Sequence, residues 1–191
     1  MRHGEPERNP TDPRDPGLCE RGWDHARAAI EPLRDRGVEA VYSSPQKRAR
    51  QTATIVAQSL LLPIAEDSGL VEFDHGGDYV HYDDPSHPVW QSYFAGDLSP
   101  WGLTTESFHA RIRATMQRIA QRHAGAGGPV LAVCHGGVIN AWTCQVLGVA
   151  DRIRVLEPGY GSLHRYTVEC GRWRVLSLNE TPASMSLSTG K

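Results

Sequence analysis

No stretch of this sequence is apolar for the roughly eighteen residues that a membrane-spanning helix needs. The N-terminus, Met1-Arg2-His3-Gly4-Glu5, is charged where a secretory signal would carry an apolar run. Cysteine is scarce. Cys19, Cys134, Cys144 and Cys170 form no CxxC pair and no dense framework, which argues against disulfide staples and a structural zinc site. They read as reduced thiols, so the expected location is cytoplasmic. Charge of one sign is also lacking: 20 Lys and Arg against 22 Asp and Glu leave a formal net charge of −2, which offers no whole-molecule field to hold nucleic acid. Any phosphate chemistry must be local. No internal repeat is visible. What remains is an ordinary globular composition, 39% hydrophobic and 22% charged, over 191 residues that suffice for one core. A single domain is expected over 1–180, with a frayed tail over 181–191.

Residues 4–17 are rich in Pro, Arg and Asp without an apolar period and read as a surface loop. Trp23, Ala26, Ile30 and Leu33 recur at helical spacing and predict one helix from Glu20 to Arg36, ended by Gly37. Val38 to Ser43 reads as a strand, with Ser44 as N-cap and Pro45 at the first helical position of the next helix. That helix keeps Ala49, Ala53, Val56 and Leu60 on one face, and Leu62 to Ala65 reads as a further strand. Periodicity then fails from Asp67 to Pro100, where Asp, His, Gly, Tyr and Trp accumulate, as in a substrate loop. A long amphipathic helix is expected from Thr105 to His123. The apolar run Pro129 to Cys134 predicts a central strand buried on both faces, leading through His135-Gly136-Gly137 into a helix that ends at Leu147. Ser162 to Val168 and Trp173 to Leu178 read as an edge hairpin.

In such βα sequences, ligands bind where strands end and helices begin, because backbone N–H groups and the helix dipole converge there. One such turn places Arg48 in the first helical turn, within reach of an anion. The other carries His135-Gly136-Gly137, where two glycines let a ligand approach the backbone. Arg2-His3-Gly4-Glu5 adds a cation, an imidazole and a permissive glycine. Taken singly, a lone His is more often structural and a lone helical Arg more often solvated.

Together, Arg2-His3-Gly4-Glu5, Ser43-Ser44-Pro45-x-x-Arg48-Ala49-x-Gln51-Thr52-Ala53, Leu70-x-Glu72 and His135-Gly136-Gly137 resemble the histidine phosphatase superfamily, which includes the cofactor-dependent phosphoglycerate mutases. The resemblance runs from residue 2 to about Asn179. It implies a three-layer α/β/α sandwich with a mostly parallel central sheet. It implies His3 as nucleophile, with Arg2, Arg48 and His135 holding the phosphoryl oxygens beside Gly136, and no cofactor or metal. Glu72 matches the proton-donor position, although the Trp-Glu pair that many relatives carry further on is absent, so Asp74 or Asp78 could serve instead. The expected partner is a small-molecule phosphate monoester. No nucleic acid or membrane partner is expected, and self-association into a homodimer is left open.

Other readings compete. A phosphoglycerate mutase would return the phosphoryl group to product, but the relevant relatives carry longer insertions after the second block. A phosphate-binding regulatory module would not require a nucleophilic imidazole. His75, His81 and His87, interleaved with Asp78, Asp83 and Asp84, fit no tight metal motif. Trp90, Tyr93, Phe94 and Trp101 could form a lid, though such aromatics are more often core. Cys19 stands where many relatives place a hydroxyl N-cap, a change that weakens a helix start by about 1 kcal/mol. Cys134, before His135, reads as a small apolar residue. Finally, the family's Arg-His-Gly block ends an apolar first strand, whereas here only Met1 precedes it. The expectation is a gap in the sheet, or a poorly held Arg2-His3, with neighbouring backbone groups each costing roughly 1 to 3 kcal/mol if buried unpaired.

Overall fold

The computed structural model describes residues 1–81 and 87–182. Its centre is a parallel three-stranded sheet in the order β2-β1-β3, built from β1 (Ala40–Ser43), β2 (Ile64–Glu66) and β3 (Val130–Val133). Alternation along the strands makes two cores. Val41, Leu131 and Val133 pack with Ala49, Ala53 and Val56 of α3 (Lys47–Leu60) and with Ala29 and Leu33. On the other face, Tyr42 and Cys134 join Phe108 and Ile112 of α5 (Thr105–Arg122) and Val138 and Trp142 of α6 (Gly136–Val146). The result is an α/β structure with a parallel sheet flanked by helices, as the sequence implies.

Four expectations need correction. The helix predicted over Glu20 to Arg36 is two helices, α1 (Glu20–Ala28) and α2 (Ile30–Asp35), parted at Ala29. Pro32 lacks the N–H that would bond the carbonyl of Ala28, and its ring crowds that carbonyl, so the first helix ends there. Ser44 is not the cap of α3. Gln46 holds that position, one residue beyond Pro45, and the helix starts at Lys47. β1, not β3, is the central strand, and Val130 and Ala132 of β3 are only half-buried because they border a groove. The hairpin of β4 (Leu163–Glu169) and β5 (Arg172–Glu180) forms as expected but as a separate two-stranded sheet.

That groove, about 530 Å³, lies between β3 and β4 and is lined by Met1, Val130, Ala132, Leu163 and Trp173 among others. The expected gap is therefore present, but the expected looseness of Arg2-His3 is not. His3 N–H donates to Cys134 O (3.0 Å), Cys134 N–H to Met1 O (2.9 Å), Arg2 N–H to Ser162 O (3.0 Å) and Gly161 N–H to His3 O (3.1 Å). Met1 to His3 are held between the residue that follows β3 and the residues that precede β4 because both of their backbone edges find partners.

The excursion after β2 holds a short helix, α4 (Pro88–Phe94), whose Trp90 and Tyr93 are buried in the core while Phe94 is exposed. Core is thus the better description of Trp90 and Tyr93. The cap positions behave as their chemistry dictates. Cys19 precedes α1 without a side-chain cap bond, and Thr104 and Ser107 form a reciprocal capping box at α5. All four cysteines are free, and burial raises the pKa of the Cys134 thiol. Among the described residues, no helix is long and apolar enough to cross a membrane. The tail expected over 181–191 falls mostly on 183–191, outside the described residues, as do Asp83 and Asp84.

Candidate active site

Five chain segments meet near the C-terminal ends of β1 and β3. Arg2, His3, Arg48, Glu72, Phe73, Asp74, Tyr79, Trp90 and Gly136 line one small cavity. His135 stands beside it, its ring centroid 5.1 Å from that of His3. Of the residues that the resemblance implicates, Arg2, His3, Arg48, Glu72, Asp74 and Gly136 line this cavity and His135 stands against it, whereas Asp78 does not line it.

The imidazole of His3 is buried and its orientation is fixed. Nδ1 lies 2.7 Å from Gly4 O, a carbonyl that can only accept, so Nδ1 carries the hydrogen. Nε2 is left with its lone pair, 3.3 Å from Arg48 Nε, which donates to it. Burial, and then the charges of Arg48 and Arg2, push the His3 pKa well below its usual value, so the ring is neutral at physiological pH. His135 is held neutral the same way, and its Nε2 contacts Ser44 Oγ at 2.8 Å.

The loop carrying His3 is fastened to α3 by one hydroxyl. Thr52 Oγ1 accepts from Gly4 N–H (3.0 Å) and donates to Arg48 O (2.8 Å), so it ties the His3 loop to the turn carrying Arg48. Gln51 Oε1 accepts from Leu18 N–H (2.7 Å). These contacts explain why Gln51 and Thr52 follow Arg48 in the motif.

Arg48 is buried, with Nη2 on Asp74 Oδ1 (3.3 Å) and its guanidinium 4.6 Å from the Tyr79 ring centroid. Its Nη1, like His135 Nδ1, has no acceptor among the described residues. Arg2 donates to Pro158 O and stacks 3.9 Å from the Tyr160 ring centroid. Tyr79 and Tyr160 touch through their hydroxyls at 3.2 Å.

Glu72 is buried and accepts from Gly137 N–H (2.7 Å) and Phe73 N–H (3.1 Å). Those bonds favour the carboxylate, but burial and the nearby Asp74 charge outweigh them and raise its pKa to about 7. The approach of Glu72 to α6 requires glycine at 137: a Cβ there would overlap Glu72 Oε1 and lie 2.6 Å from a Phe73 ring carbon. Gly137→Ala is therefore expected to displace Glu72 from α6.

Ser44, Gln46, Tyr79 and Tyr160 were not singled out for this site from sequence. Ser44 and Gln46 lie in the motif, next to Arg48. The two tyrosines sit in aperiodic segments, and only the fold brings them together. The remaining candidates lie elsewhere. His81 Nε2 is 3.1 Å from Glu7 O, and His87 Nδ1 accepts from Val89 N–H at the start of α4.

Comparison with known proteins agrees with this geometry. The family model described as histidine phosphatase superfamily (branch 1) matches residues 1–181. Phosphoserine phosphatase 1 of Hydrogenobacter thermophilus is 27% identical over 168 residues, 78% of this chain and 75% of that protein. A bifunctional protein of Mycobacterium tuberculosis is 34% identical over 180 residues, 86% of this chain but 45% of that protein, so the chain spans less than half its length. The structure of mycobacterial glucosyl-3-phosphoglycerate phosphatase with VO3 matches with TM-score 0.77 and 26% identity, covering 93% of this chain and 96% of that one. With these residues gathered in this arrangement and the match running almost end to end, the chain belongs to the histidine phosphatase superfamily, branch 1.

Proposed function

We propose that the chain hydrolyses small-molecule phosphate monoesters through a phosphohistidine on His3. The single observation carrying this reading is the His3 ring itself. Its Nδ1 hydrogen is spent on Gly4 O, while its Nε2 lone pair faces a cavity walled by two guanidiniums. An imidazole used only for packing has no need to turn its hydrogen-free nitrogen, which here accepts from Arg48 Nε, toward two guanidiniums.

The steps follow from these groups. Nε2 attacks phosphorus as the ester P–O bond breaks, and charge accumulating on the phosphoryl oxygens is met by Arg2, Arg48 and His135. The neutral Glu72 carboxyl gives its proton to the departing alkoxide. Glu72, now a carboxylate, takes a proton from water as that water attacks phosphorus, the P–N bond breaks, and Nε2 regains its lone pair. The cations needed are supplied by side chains of the protein. Phosphatase names among the relatives support hydrolysis over phosphoryl return to product.

A screen of phosphate release from sugar phosphates, phosphoglycerates, phosphoserine and nucleotides tests the reading directly. Absence of turnover on every class would count against it. Glu72 adds a sharper expectation. Because its acid form is present below about pH 7, kcat/KM on alkyl phosphates should fall as pH rises through that value. Glu72→Gln should remove this limb and slow alkyl phosphates by about 10² to 10⁴-fold. Nitrophenyl phosphate, whose leaving group departs without a proton, should be slowed far less. Equal losses on both substrates would take the proton-donor role away from Glu72.

A further inference from the structure

The cavity over His3 encloses only about 10 Å³ of free space. That is room for roughly one water molecule and too little for a phosphoryl group. Its walls differ in kind. Arg2 and His3 are bonded into the sheets, Arg48 lies in the first turn of α3, and Gly136 opens α6. Asp74 and Tyr79 come instead from the aperiodic segment that follows Glu72. Asp74 is the group that meets the Arg48 cation: Oδ1 lies 3.3 Å from Arg48 Nη2 and also accepts from the neutral amide of Gln46, Nε2 at 3.4 Å. Its side chain is 13% exposed, against 1% for Arg48, so it reaches the guanidinium from the solvent side. Tyr79 covers the same guanidinium and closes against Tyr160.

A carboxylate and a phosphoryl dianion compete for one buried guanidinium, since both draw on its charge and donors and the two repel. From this contact, and resting on the phosphatase reading above, we propose that Asp74 is the exchange ligand of Arg48: substrate displaces its carboxylate, and its return expels the product phosphate. Asp74 is then a positioning residue, acting through Arg48 and making no bond to the reacting atoms. It keeps a buried cation paired when the site is empty, where an unpaired guanidinium would be costly. It also limits how tightly inorganic phosphate is retained, because leaving phosphate is replaced by an anion already tethered nearby.

Asp74→Asn keeps size and the contact to Gln46 but removes the charge. The affinity for inorganic phosphate and for vanadate, read as competitive inhibition constants and by calorimetry, is expected to tighten about tenfold, as loss of a competing charged hydrogen bond implies. KM should fall with it, while kcat on nitrophenyl phosphate falls or holds because release becomes slower. Asp74→Ser should shift phosphate affinity in the same direction. Phosphate affinity unchanged or weakened in both variants would overturn the proposal. So would a selective loss of turnover on alkyl phosphates without tighter phosphate binding, which would make Asp74 the proton donor. Failure of the wild-type protein to hydrolyse any monoester would instead sink the phosphatase reading, since the calorimetric affinity needs no turnover.

Discussion

Replacing His3 by Ala is expected to lower kcat/KM by at least about 10³-fold, because the proposed chemistry runs through a bond to its Nε2 and no neighbouring group is placed to substitute. His135 is the nearest imidazole, but its Nε2 is engaged by Ser44 Oγ. Cys134 is buried with its thiol pKa raised, which leaves it the weaker nucleophile. Stability should change little. His3 makes one side-chain bond to Gly4 O and one contact from Arg48, and the backbone bonds that seat Met1 to His3 between the sheets do not involve the side chain. A melting temperature within about 3 °C of wild type would be consistent with a loss of roughly 1 kcal/mol or less. A variant that retains more than about a tenth of the wild-type rate would remove His3 from the mechanism.

Replacing Arg48 by Ala is expected to cost about 10² to 10⁴-fold in kcat/KM, the range for deleting a fixed cation that meets developing phosphoryl charge in a water-excluded site. Its effect should be compared with that of Arg50→Ala. Arg50 lies in the same helix but is exposed and pairs with Glu66 at the surface, so its loss should leave the rate near wild type. Arg48→Lys should not restore activity, because an ammonium cannot direct Nε to His3, Nη2 to Asp74 and Nη1 into the cavity at once. Recovery by Lys to within a few-fold of wild type would show that charge alone, without the planar fork, is what the site uses.

Much of this site was legible in the chain. The two strand-to-helix turns carry Arg48 and His135, and the apolar runs and helix signals that frame them are local. Even the split of the first helix at Ala29 had a local sign in Pro32, though the unbroken spacing of Trp23, Ala26, Ile30 and Leu33 masked it. Other features depend on contacts between distant segments. Thr52 beneath Gly4, Ser44 against His135, Glu72 against Gly137 and Tyr79 against Tyr160 join residues 48, 91, 65 and 81 positions apart. No periodicity encodes such pairs. Asp74 is the clearest case: in sequence it is one of several loop carboxylates, and its pairing with a buried guanidinium appears only once α3 and the segment after Glu72 are packed together. The placement of Arg2 and His3 is another. A three-residue run carries little strand signal, yet it is held because Cys134 and Ser162 offer it an edge on either side.

The most direct test is to quench the wild-type protein during turnover of a phosphate-labelled substrate and find where the label sits. Our account predicts a phosphoenzyme that loses its label in acid and keeps it in alkali, with the label on the peptide containing His3 and absent from His3→Ala. Full turnover with no trapped label under rapid quench, or an acid-stable label on another residue, would contradict it.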